Sequence, residues 1–365
     1  MARPAPIFVG GSAVQRPGAG GHAWALAHWA SGLRKIGHPV DFLDAGENAA
    51  GSELRTILAE AGAGYVLLGD DAARVLSARE EVVWVLNIMG FISREAACED
   101  ERFWTFLDID PGYPQMWHEL GLADMFAGHG RFVTIGENVG QPGCKIPECG
   151  LDWITTPPPV SLDAWPPSVG GDAFTTVCTW RNAYGTVTCN GESYGSRVHE
   201  FRKFFELPRL VDAEFELALD IHEAEVDDLR RLEANGWLLV DPRAVAATPN
   251  DYRAYVQNSR AEFSVAQNMY VATRSGWLSD RSLCYLASGK PVLAQDTGFS
   301  DNYPVGEGLI AFSTLEEAAA GVEEIECNYE RHSRAARELA EEYFDSAKVL
   351  RRLVERLGIE EASQA

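Results

Sequence analysis

The 365-residue chain has no long uncharged apolar run, so nothing in it reads as a membrane span. Basic residues are scarce. Lys and Arg number 31 against 54 Asp and Glu, and the resulting net charge of −23 argues against broad contact with nucleic acid or an anionic membrane. An anionic ligand stays compatible, because a few local Arg side chains and helix amides hold a diphosphate inside an acidic protein. The opening run Met1-Ala-Arg-Pro-Ala-Pro-Ile-Phe-Val-Gly-Gly11 lacks a signal-peptide core and enters strand-like sequence directly, which predicts a cytoplasmic protein. Cysteines are few and odd in number, seven, and without a secretion signal they predict reduced thiols. Cys144 and Cys149 have the spacing of half a zinc turn, but no second Cys/His pair answers them, so they read as loop thiols and no metal is expected. Repeats of solenoid length and low-complexity tracts are missing too.

What is present alternates between strand and helix. Ile7-Phe-Val9, Val40-Asp-Phe-Leu43, Tyr65-Val-Leu-Leu68, Val82-Val-Trp-Val-Leu86, Phe103-Trp-Thr-Phe-Leu107 and Phe132-Val-Thr-Ile135 read as buried strands. A helix is expected from His22 to Ile36, with Leu26, Trp29, Ala30, Leu33 and Ile36 inward, and others around Glu53 to Ala61 and Asp71 to Leu76. The Pro-rich run Thr155-Thr-Pro-Pro-Pro-Val160 through Pro167 cannot sustain a helix and marks a junction. The theme then repeats: strands at Phe174–Cys178, Phe215–Leu219, Trp237–Val240 and Glu262–Val265, and helices over Tyr194–Leu207, Glu225–Asn235 and Tyr252–Asn258. After the strand Leu309–Phe312 the chain is expected to be helical nearly to its end. The pattern predicts an α/β protein of two Rossmann-like domains: 1–155, a linker at 156–172, 173–345, and a closing helix and tail at 346–365.

The most informative stretch is Arg274 to Phe299. Ser279 is a good N-cap, Asp280 suits the first turn, and Leu283, Leu286 and Ala287 give an inward face. Gly289 stops the helix, Pro291 bars its continuation, and Val292-Leu-Ala supplies a strand. The amides at such a helix start, with Arg281 beside them, can hold a diphosphate. The loop Asp296-Thr-Gly298 leaves the carboxyl end of a strand, where open α/β sheets bind ligands. This arrangement resembles the donor site of GT-B glycosyltransferases, and Ala287-Ser-Gly-Lys-Pro-Val292 is similar to their "A-x-G-x-P-V". Arg281 resembles the Arg of the spore-maturation-type branch, and natural-product enzymes of the same architecture are also similar. Gly276 and Cys284 stand where many retaining members have paired glutamates, so a ribose-binding glutamate is not implied.

Gly20-Gly-His-Ala-Trp24 with Gly32-Leu-Arg-Lys-Ile-Gly-His-Pro-Val40 resembles the first β-α-β unit of the same enzymes. The resemblance implies a GT-B architecture facing across a cleft, with His22 deprotonating the acceptor and a strand-end carboxylate, Asp110 in preference to Asp108, orienting it. On the residues alone, His22 equally reads as a helix cap, and the two aspartates as turn caps. His118, His129 and Glu137 fall in the same loop region and are counted with the acceptor site by position alone. On the donor side the resemblance implies Gly21, Trp180, Arg181, His222, Ser279, Asp280, Arg281, Ser282, Asp296, Thr297 and Gly298. Trp180 would pack on the sugar or wall the cleft, while Arg202 and Lys203 are expected to be solvated. The implied function is metal-independent, inverting sugar transfer from a nucleotide-diphosphate donor to a small-molecule or glycan acceptor, with no cofactor beyond that co-substrate. A nucleotide-sugar 2-epimerase or a non-catalytic sugar-nucleotide-binding protein are the alternatives.

Overall fold

In the first half of the chain, short apolar runs form a seven-stranded parallel sheet. The computed structural model describes residues 3–13, 18–46, 52–68, 83–92, 100–359 and 361–362. The strands are β1 (Ile7–Gly11), β2 (Val40–Asp44), β3 (Gly64–Leu67), β4 (Trp84–Ile88), β5 (Trp104–Asp108), β6 (Arg131–Thr134) and β7 (Trp153–Thr155). Their order is β3-β2-β1-β4-β5-β6-β7, and β1, β4 and β5 are buried throughout. Helix α1 (Gly20–Lys35) connects β1 to β2 and buries Leu26, Trp29, Ala30 and Leu33, the face its periodicity predicts. The helix expected at Asp71–Leu76 lies outside the described residues. Two elements were not anticipated: the seventh strand, and helix α2 (Tyr113–Glu119) after β5.

The second half builds a six-stranded parallel sheet from β8 (Ala173–Thr179), β11 (Glu214–Asp220), β12 (Leu238–Val240), β13 (Ala261–Ser264), β14 (Val292–Gln295) and β15 (Leu309–Phe312). Strands β9 (Val187–Cys189) and β10 (Glu192–Tyr194) form a separate antiparallel hairpin between β8 and β11. The sheet order is β12-β11-β8-β13-β14-β15. The single helix expected over Tyr194–Leu207 is corrected here: Tyr194 ends the hairpin, and three short helical turns at 198–201, 202–204 and 207–210 follow. Helix α3 (Pro249–Gln257) precedes β13, and α4 (Asn268–Thr273) follows it. Helix α5 (Asp280–Ala287) forms as its sequence dictates: the Ser279 hydroxyl accepts from the Arg281 amide at 3.2 Å, and Gly289 turns the chain out at φ 69°.

The connecting segment and the closing helix help to tie the sheets together. The Pro-rich segment packs as well as connects, because Val160 pairs with the chain at Asp345, Val160 N donating to Phe344 O at 2.8 Å and Val160 O accepting from Ser346 N at 2.9 Å. Helix α6 (Ser346–Arg356) then buries Leu350, Leu353 and Val354 in the cluster that contains the inward residues of α1. Trp24, His28, Trp165 and Tyr252 form an aromatic group between α1, the connecting segment and α3. Burial there drives the His28 imidazole down to about 3, so it is neutral at all ordinary pH.

Candidate functional site

Each sheet reverses its winding once, at β1/β4 in the first and at β8/β13 in the second. At such a reversal the neighbouring crossovers go to opposite faces and open a crevice at the carboxyl ends of the strands. Polar groups gather at both. Beyond β1, His22 in the first turn of α1 places Nε2 3.0 Å from Ser12 O. A carbonyl only accepts, so Nε2 carries the proton and Nδ1 holds the basic lone pair.

Two strands away, Asp108 and Asp110 follow β5. Asp108 is fully buried and accepts from Asp110 N at 3.0 Å, Gln115 Nε2 at 2.7 Å and Thr134 Oγ1 at 2.8 Å. Burial pushes its carboxyl up to about 6, those hydrogen bonds pulling the other way. Asp108 therefore builds the loop. Asp110 reaches the seam between the domains and accepts from the Tyr270 hydroxyl on α4. Among their contacts, the His22 ring meets a backbone carbonyl and the Asp110 carboxylate a tyrosine of the other domain.

That seam is polar along its length. Tyr113 donates to Gln267 Oε1 at 2.9 Å, and Asn182 donates to the same oxygen at 2.5 Å and to the Tyr113 hydroxyl. Asn138 binds Arg274 O at 3.2 Å and Gly298 O at 3.1 Å and receives Asn302 at 3.0 Å, while its own N donates to Ser275 O at 3.1 Å. Glu137 accepts from the Tyr303 hydroxyl, and burial pushes its carboxyl up to about 7. Gly21 matters by approach: a Cβ there would lie 2.8 Å from the Tyr252 ring, so only glycine lets the start of α1 sit against α3.

The donor-side residues divide. Ser279, Asp280, Arg281 and Ser282 share the first turn of α5, and Asp296, Thr297 and Gly298 form the loop after β14. Asp296 closes that loop, accepting from Gly298 N at 2.8 Å and Ser300 Oγ at 2.7 Å, and Thr297 donates to Trp277 O at 2.5 Å. Burial raises the Asp280 carboxyl, and the Ser282 hydroxyl is buried without a partner. Arg281 is committed to the protein: Nε to Glu262 at 2.5 Å, Nη1 to Val177 O at 2.9 Å, Nη2 to Ser264 Oγ at 2.8 Å.

The remaining donor-side residues lie elsewhere. Trp180 is 1% exposed, within ring contact of Phe201 and Phe205, with its indole N–H on Asp228 at 3.0 Å. It is a core residue. Arg202 is exposed, as expected, and clasps that same Asp228 at 2.7 Å. Arg181 is half exposed and pairs with Glu225. His222 is exposed and accepts the Ala224 amide at 3.1 Å, capping a turn. On the acceptor side, His129 lies 3.0 Å from Asn87 Nδ2 and is lowered by burial, and His118 contacts Asp124 at 3.3 Å.

Sequence reasoning missed Arg197. It stands between the hairpin and the first helical turn of the second domain, 7% exposed, with Nε on Val265 O at 2.7 Å and Nη1 on Thr179 O at 2.8 Å. Those carbonyls end β8 and follow β13, the two strands at the reversal. Among the described residues no group of three or more His, Cys, Asp or Glu could hold a metal ion.

No protein-family model matches the chain, and no curated protein matches its sequence. Solved structures do match. A glycosyltransferase from Rickettsia africae aligns at TM-score 0.61 and 14% identity over 99% of this chain and 100% of its own. An alpha-glucosyltransferase in complex with UDP and a DNA 13-mer aligns at 0.62 and 11% over 97% and 100%. HepE from Anabaena in complex with UDP-glucose aligns at 0.59 and 10% over 97% and 99%. With two parallel Rossmann-like sheets facing across a polar seam, the chain has the GT-B fold of these glycosyltransferases.

Proposed function

We propose that the protein is a glycosyltransferase that moves a sugar from a nucleoside-diphosphate donor to a small-molecule or glycan acceptor, with inversion. One observation carries the reading: the likeness to such enzymes runs through both domains and nearly the whole chain, and it includes structures bound to UDP and UDP-glucose. Within that fold, Arg281 with Gly289-Lys-Pro-Val292 leans toward the spore-maturation-type branch.

On this reading the donor rests on the second domain. The amides after Ser279, the Asp296–Gly298 loop and nearby guanidinium groups meet the diphosphate charge that develops as the sugar leaves, electrostatic stabilisation that needs no metal. His22 receives the acceptor proton at Nδ1, held in that tautomer by Ser12 O. Asp110 acts at one remove, through Tyr270 and the seam. The domain junction falls in the segment 156–172.

A second reading, 2-epimerisation of a nucleotide sugar, draws support from Glu137 and Asp110, two carboxylates at the seam of which Glu137 titrates near neutrality. Mass analysis of products from a panel of nucleotide sugars, with and without acceptors, tests both. A glycosylated acceptor of inverted configuration supports transfer. Isomerised donor with no transfer supports the second reading, and unchanged donor throughout removes both.

A further inference from the structure

We infer that the groove between the loop 304–307 and the helix Tyr329–Leu339 is an interface, and that its occupant is a second copy of this chain, seated through the basic outer face of helix α6. The inference goes beyond the transfer reading above and does not rest on it.

The groove has a volume of about 700 Å³ and lies on the second domain. Arg331, Glu338 and Leu339 line one wall at the spacing of successive helical turns. The π-helical turn that follows, Ala340–Phe344, adds Glu342 and Tyr343, and such turns recur at functional sites. Across from them Val305 stands 43% exposed on its loop. Part of the lining is therefore apolar, and its charges are mostly negative: Glu307, Glu338 and Glu342 face Arg331, which is already shared between Glu307 and Glu324. An apolar lining with a carboxylate rim suits a surface that is cationic and amphipathic.

Such a surface lies beside it. Helix α6 buries Leu350, Leu353 and Val354 and leaves Arg351 and Arg352 exposed, with Lys348 half-buried at its start. The Glu342 carboxyl is held down by its hydrogen bond from Lys348 at 2.8 Å and also by Arg352, so the basic strip begins where the rim of the groove ends. Glu338, Arg351 and Arg352 nevertheless make no ion pair among the described residues. Helix α6 does not turn into its own groove, because it is seated on α1 so closely that a Cβ on Gly32 would come 2.5 Å from Leu350. A two-fold axis resolves the mismatch. It lays the basic strip of each copy on the acidic groove of the other, covers Val305, and closes with two identical contacts. The interface borders the seam, since Tyr343 packs edge-on against Tyr303, the residue that donates to Glu137. Exposed ion pairs are individually weak and screened by salt, so the pairing is expected to be weak and salt-sensitive.

Sedimentation velocity over a series of concentrations tests the inference on the full chain. The samples are wild type, an acid-reversed variant (Glu338→Lys with Glu342→Lys) and a base-reversed variant (Arg351→Glu with Arg352→Glu). Wild type is expected to pass from one chain to two as concentration rises, and to loosen with added salt. Each reversed variant should pair at least about tenfold more weakly, because every changed charge acts twice in a two-fold interface and now meets its like. Mixed in equal amounts, the two variants should pair again, since the basic groove of one meets the acidic strip of the other. Should a reversal unfold the chain, Glu338→Gln and Arg352→Gln remove one charge each and should each weaken pairing several-fold. Wild type that stays single at every concentration overturns the inference. So does pairing that the charge changes leave intact, and so does a mixture of folded reversed variants that stays single.

Discussion

Along the carboxyl end of the first sheet the polar groups are an imidazole and carboxyls: His22 on Ser12 O, Asp110 on Tyr270, Glu137 on Tyr303. At the crossover of the second, the buried Arg197 and the partly buried Arg281 span the strand ends, and only Arg281 has a carboxylate partner. The sheets share a winding order over their first six strands, yet one end gathers an imidazole and carboxyls and the other guanidinium groups. Identical scaffolds supply identical crevices. What fills each crevice comes from the loops, and the seam lets the two chemistries meet.

The sharpest way to break the comparison is to remove the structural half of the arginine pair. Arg281→Ala strands the fully buried Glu262 carboxylate without a partner. Breaking a buried pair in this way costs about 3–5 kcal/mol, and urea unfolding should show it. An unchanged midpoint would mean that Arg281 serves the ligand and not the fold. His22→Ala should lower turnover by roughly a hundredfold or more, the scale of a lost general base, with UDP affinity on calorimetry nearly unchanged. A comparable loss of UDP affinity would abolish the division between the two ends.

The seam itself is sharpened by pH. Burial moves Glu137 from 4.5 to about 7, so the folded protein keeps a proton that the unfolded chain releases. Its contribution is full below about 4.5 and is lost as pH rises through about 7. Glu137→Gln does not titrate, and its unfolding midpoint relative to wild type should rise across that window. A flat difference would place Glu137 in water. The smallest effect belongs to Arg181→Ala, whose half-exposed pair with Glu225 should contribute under about 1 kcal/mol to stability and leave UDP binding within a few-fold.

Much of this was legible beforehand. Apolar runs marked twelve of the thirteen parallel strands; β7, only three residues long and hidden before the prolines, was missed, as was the true extent of helix after Tyr194. The second had a readable cue. Asn190-Gly191, both at positive φ, is the dipeptide that favours a two-residue hairpin turn, and it sits between Cys189 and Glu192. Reading it would have exposed Arg197 as a loop residue following a hairpin. The Ser279 cap and Gly289 stop were local, so the sequence displayed them directly. Trp180 was misplaced because a strand end looks the same whether its next side chain turns to the cleft or inward. Here Asp228, 48 residues away, draws the indole into the core. Pairings across the seam, such as Asn138 with Gly298, join residues 160 positions apart and leave no local pattern.

Phosphorus NMR on a panel of nucleoside-diphosphate sugars tests the central claim most directly, by following free nucleoside diphosphate as wild type and His22→Ala act on each donor. The account predicts release from at least one donor by wild type, and release slowed roughly a hundredfold in the variant. No release from any donor, by wild-type protein that binds UDP, would contradict it.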